Sequence, residues 1–121
     1  MIEIIEGFPE SVVGCSAKGR VTRKDYAEVL IPAVEAAFRH QGRVRCYYEL
    51  GRDFVGFDAG ALWEDARIGV EHWSRWERIC VVTDVDWIHA AVNVLGFLLP
   101  GAVRLFPTNQ TAAARAWIAS A

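Results

Sequence analysis

Residues 77–90 read ERICVVTDVDWIHA, and this stretch is the clearest indication of the fold. Residues 78–83 form a nearly continuous apolar run, as expected of a parallel strand that is covered on both faces. Residues 84–86 form a polar turn in which Asp86 can cap a helix. The apolar residues that follow have helical spacing: Trp87, Ile88, Ala91, Val92 and Leu95. A buried strand followed directly by an amphipathic helix is the repeating unit of α/β folds.

Similar patterns extend in both directions from this unit. Strands are predicted at residues 2–6, 12–17, 44–50 and 102–106. The connection between the first two is too short for a crossover, so these strands pair antiparallel. Helices are predicted from residue 22 to about 38, from 58 to about 73, and after residue 108 or 109. The order ββαβαβαβα predicts an α/β fold, with a mixed, mostly parallel five-stranded sheet and four helices in one domain over residues 1–121.

Local signals add detail to these predictions. Thr22 and Asp25 have the spacing of a capping box at the start of the first helix. Pro32 lies inside that helix and predicts a kink. Residues 51–57 contain two glycines and are interpreted as a loop, after which Asp58 caps the second helix.

Composition and charge restrict the class of protein. The chain has 121 residues, 53% of them hydrophobic, and a formal net charge of −2, which favours a globular domain and argues against nucleic-acid binding. Residues 1–6 lack the features of a secretory signal, and the longest apolar tract, residues 90–103, is too short and too interrupted to span a membrane. An odd number of cysteines (Cys15, Cys46 and Cys80), each in an apolar stretch, favours buried free thiols in a cytoplasmic protein.

No familiar catalytic or cofactor motif is present. The chain lacks a P-loop, a GxGxxG loop, a Gly-x-Ser-x-Gly motif and paired histidines at metal-ligand spacing, so we expect neither a cofactor nor a metal site. Asp84 and Asp86 follow a parallel strand, where α/β sheets bind ligands, and could hold Mg²⁺ or act as acid and base. The simpler interpretation is that they close the turn and cap the helix. We therefore expect a protein that is not an enzyme, with a small acid–base or Mg²⁺-dependent enzyme using this pair as the alternative.

The second helix is predicted to have two faces. Its inner face consists of Leu62, Ala66, Gly69, Val70 and Trp73. Its charged residues are interpreted as a solvated face on which Glu71 and Arg75 form an i,i+4 pair; they are Glu64, Asp65, Arg67, Glu71 and Arg75.

Aromatic residues are abundant and several lie where no helix face requires them. Residues 96–101, GFLLPG, are interpreted as an apolar loop. Apolar side chains in loops mark a site for a lipid, a small molecule or a protein partner when they are exposed. The candidate ligand- or partner-binding residues are Phe54, Phe57, Trp63, Trp87 and Phe97, with Asp58 organising the turn.

The chain resembles the SpoIIAA-like family. The resemblance is carried by residues 51–66 (GRDFVGFDAGALWEDA), 77–79 (ERI), 82–88 (VTDVDWI) and 96–101 (GFLLPG), and it extends to Arg115 and Trp117 in the last helix. The family comprises small stand-alone bacterial domains that are related to the STAS fold of anti-sigma-factor antagonists and are also described as STAS/SEC14-like. It implies a mixed five-stranded sheet packed by four helices.

The resemblance also shapes the functional expectation. Anti-sigma-factor antagonists carry a phosphorylated serine at the start of the second helix, where this chain has Ala59, so we expect the phosphorylation switch to be absent. The SEC14-like side of the resemblance implies an apolar ligand held between helices and sheet. We therefore expect a non-enzymatic domain that binds a partner protein or a small apolar, lipid-like ligand, and exposed apolar loops would also be compatible with a homodimer.

Overall fold

A five-stranded mixed sheet in the order β1-β2-β3-β4-β5 forms the centre of the fold, in a computed structural model that describes residues 1–99 and 101–120. The strands are β1 (Ile2–Ile5), β2 (Val12–Val21), β3 (Val44–Phe57), β4 (Trp76–Thr83) and β5 (Ala102–Phe106). β1 pairs antiparallel with β2, and the remaining pairs are parallel. The predicted fold class, strand number and mixed sheet are confirmed.

Four helices connect or follow the strands. The first, α1, begins as Arg23–Asp25, passes through a π-helical turn at Tyr26–Leu30 and continues as Ile31–His40. The others are α2 (Ala59–Glu71), α3 (Asp86–Leu98) and α4 (Thr111–Ala119), and short 3₁₀ turns at Trp73–Arg75 and Thr108–Gln110 precede β4 and α4. Within the described ranges, no helix has the length and apolar character needed to cross a membrane.

The strand order determines where the helices lie. The crossovers through α1, α2 and α3 all step in the same direction along the sheet, and right-handed crossovers then place these three helices on one face. Their buried residues share one core with that face, whereas Ala114 and Ile118 of α4 belong to a second core on the other face. Cys15 and Cys46 lie in the first core and Cys80 in the second, all as buried free thiols, as predicted.

The start of α1 confirms the predicted capping box. The Asp25 amide donates to Thr22 Oγ1 at 3.3 Å, and the Thr22 amide donates to Asp25 Oδ2 at 2.8 Å. The irregularity expected at Pro32 takes the form of the π turn that ends two residues before it. Proline has no amide hydrogen for the helical ladder, and a π turn is one way in which a helix adjusts at such a position.

The loop predicted at residues 51–57 is wrong, because β3 continues through these residues to Phe57. Phe54 and Phe57 pair with Gly19 and Val21 of β2, across register shifts on both sides of Gly19. Gly19 has a φ of 59°, a left-handed conformation that glycine adopts without steric cost. This irregularity in β2 allows the pairing to extend beyond the predicted end of β3.

Three further boundaries differ from the predictions. Residues 96–98 are the last turn of α3 rather than a loop, and residue 100 lies outside the described residues. Asp86 is the first helical residue, not the cap; Val85 occupies the cap position and donates its amide to Thr83 Oγ1 at 3.1 Å. Neither Thr108 nor Asn109 caps α4, because both belong to the preceding 3₁₀ turn.

Candidate functional site

A cavity of about 490 Å³ lies on the three-helix face, between α2 and α3 and against β3 and β4. Its wall is almost entirely apolar. The main contributions come from Leu62, Ala66, Gly69 and Val70 of α2, from Trp87, Ala91, Leu95 and Leu98 of α3, and from Cys46, Tyr48, Ile79 and Val81 of the sheet. Trp76 and Leu99, near the start of β4 and the end of α3, line it as well. The cavity therefore follows most of the length of the central strands.

The cavity exists because α2 does not pack its apolar stripe onto the sheet. The buried residues of α2 are Ala61, Glu64 and Ile68. The predicted inner face lines the cavity instead of packing on the sheet, and its last member lies in the 3₁₀ turn after the helix; these residues are Leu62, Ala66, Gly69, Val70 and Trp73. Leu62 and Val70 remain 46% and 70% exposed. The apolar stripe therefore forms a cavity wall instead of a sealed interface.

Contacts with α1 hold α2 in this orientation. A Cβ on Gly60 would lie 2.8 Å from Cβ of Arg23, so glycine is what allows the two helices to approach this closely. Glu64 is 5% exposed, and its carboxylate lies 3.5 Å from Arg23 and 2.7 Å from Arg67. Arg67 belongs to α2 itself, so the contacts that anchor α2 to α1 on the side facing away from the cavity are those of Gly60 and Glu64 with Arg23.

Arg67 and Glu71 are exposed, as predicted for the solvated face, but the predicted ion pair between Glu71 and Arg75 does not form. Arg75 does not form the predicted pair with Glu71; its guanidinium donates to the carbonyls of Phe38, Gln41 and Gly42 at 2.7–3.0 Å. Glu71 lies 3.5 Å from Arg67 instead.

A small polar cluster interrupts the apolar wall. The Tyr26 hydroxyl donates to Asp65 Oδ1 at 2.9 Å and lies 3.0 Å from the Tyr48 hydroxyl. Both tyrosines are buried, whereas Asp65 is exposed and lines the cavity. The surrounding protein raises the pKa of Asp65 through desolvation, an effect that the hydrogen bond from Tyr26 partly opposes. Burial also raises the pKa of the neighbouring Cys46 thiol to about 12, so this thiol is neutral.

Three of the predicted site residues come together at one end of this cavity. Phe57 and Trp87 line it with their rings edge to face at a centroid distance of 6.1 Å, and Phe54 packs on Phe57 at 4.9 Å. Asp58 accepts the Ala61 amide at 2.7 Å and caps α2, as predicted.

The other two predicted aromatic residues lie elsewhere. Trp63 and Phe97 are 68% and 93% exposed, and neither belongs to the cavity wall. The aromatic residues chosen from the sequence therefore divide into a group at the cavity and two separate exposed side chains.

The two aspartates of the predicted alternative site have structural contacts. Asp84 accepts hydrogen bonds from both the amide and the hydroxyl group of Thr108, which lower its pKa. Asp86 begins α3. Within the described ranges, the single group of three side chains that could ligate a metal is Glu35, Glu71 and His72, and it does not include these aspartates.

That group has a structural environment of its own. His72 stacks on Phe38 at a centroid distance of 4.0 Å, and its Nε2 lies 3.2 Å from Glu35 Oε1. None of the three side chains lines the cavity. We assign no metal to it.

Sequence reasoning missed the polar cluster. Its members are separated by 22 and 39 residues along the chain, so no local motif connects them. One signal was available: Asp65 lies three residues after Leu62 and four before Gly69, so an acidic residue falls within the apolar stripe of the helix.

The mixed five-stranded sheet with three helices on one face and one on the other is the architecture of small α/β domains with the SpoIIAA-like, STAS-type fold. The chain belongs to the SpoIIAA-like family, whose model matches residues 12–119. Its structure is similar to that of an uncharacterized protein from the DUF3478 family with a SpoIIAA-like fold from Shewanella loihica PV-4. The TM-score is 0.76 at 20% identity, over 98% of this chain and 92% of that one, which is a likeness of fold alone. Among curated proteins, none matches this sequence.

Proposed function

We propose that this domain binds a small apolar, lipid-like ligand in the cavity between α2 and α3 and catalyses no reaction. The observation that carries the proposal is the cavity of about 490 Å³ with an apolar wall. Sites for small molecules are usually concave, mostly apolar and about 300–1,000 Å³ in volume. An apolar ligand would remove this wall from water, which contributes about 25 cal/mol per Å² of buried apolar surface.

The way in which the cavity is held open supports a binding role. Leu62, Val70 and Leu98 line it and are 46%, 70% and 61% exposed. Anchoring contacts on the opposite side of α2, through Gly60 and Glu64, keep that helix against α1. The exposed apolar surface is thus a consequence of specific contacts rather than of a poorly packed core.

The polar groups of the cavity favour binding over catalysis. They are few, and Cys46, the thiol among them, is held neutral by burial, which disfavours it as a nucleophile. The Tyr26 hydroxyl and the Asp65 carboxylate form a hydrogen bond with each other.

The experiment is native mass spectrometry of the protein purified without detergent, followed by titration with the neutral apolar dye Nile red. We expect the mass spectrum to show a lipid-like molecule bound to the protein. Once any such molecule has been extracted, the protein should bind Nile red saturably, with an increase in the fluorescence of the dye. A bare chain mass together with no saturable dye signal would contradict the proposal.

A partner protein is the second candidate, favoured by the exposure of Trp63 and Phe97 outside the cavity wall. Trp63→Ala should leave folding and dye binding intact and remove a partner from a pull-down. An unchanged set of captured proteins would count against this candidate.

A further inference from the structure

A chain of three hydrogen-bonding groups lies in the otherwise apolar cavity: Tyr48, Tyr26 and Asp65. The two hydroxyl oxygens are 3.0 Å apart, and Tyr26 Oη is 2.9 Å from Asp65 Oδ1. All three residues line the cavity. A ligand that fills the cavity therefore meets this chain.

The direction of the hydrogen bonds follows from counting protons. Burial raises the pKa of both tyrosines, so each keeps the one proton on its hydroxyl group. The Tyr26 proton is donated to Asp65, so the bond between the two tyrosines uses the Tyr48 proton. Both hydroxyl protons are then engaged in hydrogen bonds. The groups that remain able to bind a ligand here are hydrogen-bond acceptors: the Tyr48 oxygen and the carboxylate of Asp65.

Among the described residues, Asp65 accepts a hydrogen bond from Tyr26 but has no ionic partner for its charge. Of the described residues that line the cavity, it alone is acidic or basic. Within residues 1–99 and 101–120, no basic group lies within salt-bridge distance of it. Desolvation by the apolar surroundings destabilises a carboxylate that has no basic partner, and a bound cation would offset this cost.

We infer that the ligand is an amphiphile whose polar end is a protonated primary amine, and that Asp65 binds this end while the apolar chain fills the cavity. The inference rests on the proposed function and specifies its ligand class. An ammonium group supplies three donors and a positive charge to a point that offers acceptors and a negative charge. An anionic fatty acid would instead place a second carboxylate beside Asp65.

The test compares three probes that share one apolar chain: dodecylamine, 1-dodecanol and dodecanoate. Each is titrated by calorimetry at neutral pH and below its micellar concentration, with the wild type, Asp65→Asn and Glu71→Gln. Asparagine keeps the shape of aspartate and can still accept from Tyr26, so the variant should fold. Glu71→Gln removes a negative charge from the same helix at a position outside the cavity wall and controls for general attraction of cations.

For the wild type we expect dodecylamine to bind most tightly and dodecanoate most weakly. Asp65→Asn should weaken dodecylamine binding by about tenfold or more, because a close ion pair in a partly desolvated site is lost. Glu71→Gln should leave the affinity for dodecylamine and the ranking of the three probes by affinity unchanged. If Asp65→Asn does not fold, Tyr48→Phe replaces it and should selectively weaken amine binding through the loss of one acceptor.

The outcomes that would contradict the inference about the amine are different from those that would contradict the apolar ligand site itself. Dodecanoate binding as tightly as dodecylamine, or an amine affinity unaffected by Asp65→Asn, would overturn the inference and leave the apolar ligand site standing. Failure of all three probes to bind would overturn both.

Discussion

Gly69 provides a direct way to change the cavity without removing a contact. It lies in the last turn of α2 and lines the cavity. Apart from its chain neighbours and the backbone of its own helix, no atom of the described residues would lie within 4 Å of a Cβ at this position. Gly69→Ala should raise the free energy of unfolding by about 0.5–1 kcal/mol, because glycine within a helix is less favourable than alanine by this amount. For a domain of this size the melting temperature should rise by roughly 2–6 °C.

The assay is urea denaturation followed by circular dichroism, with Gly96→Ala as the matched control. Gly96 also lies two residues before the end of its helix, but it is not part of the cavity wall, and its added Cβ would make an ordinary contact with Val103 at 3.8 Å. Both variants should gain similar stability. If Gly69→Ala alone lost stability, the space beside this residue would not be open as the structure indicates.

The same pair of positions tests ligand binding. Gly69→Leu places a larger side chain in the cavity and should abolish saturable Nile red binding while the protein stays folded. Gly96→Leu should bind the dye as the wild type does. Equal dye binding by both variants would mean that the dye site is not this cavity.

Three further predictions concern the fold and the polar cluster. Desolvation raises the pKa of Asp65 above its usual 3.8, so the folded protein binds the carboxyl proton of this residue more tightly than the unfolded chain does. The ionisation of Asp65 therefore lowers the free energy of unfolding as the pH rises above 3.8. Asp65→Asn should therefore be more stable than the wild type at neutral pH, with a gain that disappears below pH 3.8 in urea denaturation; a gain that does not depend on pH would contradict this. Thr22→Ala removes the capping box with Asp25 and should cost about 1 kcal/mol in the same assay, and no loss would argue against the cap. Gly101→Ala should destabilise the domain more than the Thr22 variant does, because its Cβ would meet the backbone carbonyls of the first two residues of β4; a neutral effect on the melting temperature would contradict that close approach.

The fold was predictable where local pattern and tertiary role agree. The apolar run of β4, the helical spacing of α3 and the short connection between β1 and β2 carry their structural meaning within a few residues, and all were predicted. The extension of β3 to Phe57 was not, because it depends on pairing with Gly19 of another strand. A stretch with two glycines resembles a loop when its partner strand is unknown.

The site was predictable in part for a related reason. The apolar stripe of α2 is visible in the sequence, but periodicity does not distinguish a stripe that packs on a sheet from one that lines a cavity. That outcome depends on Gly60 and Glu64, which hold the helix against α1. The hydrogen bond between Asp65 and Tyr26 was not predicted, because the two residues are 39 positions apart along the chain.

The most direct test of the ligand site is a ¹H–¹⁵N NMR titration of the domain with 1-dodecanol. If the cavity between α2 and α3 binds an apolar ligand, the amide signals of Ala66, Gly69 and Ala91 should shift in a saturable manner. The amide of Ala114, which lies in the core on the opposite face of the sheet, should not shift. An absence of saturable shifts at the three cavity residues, or shifts confined to the Ala114 side, would contradict the account.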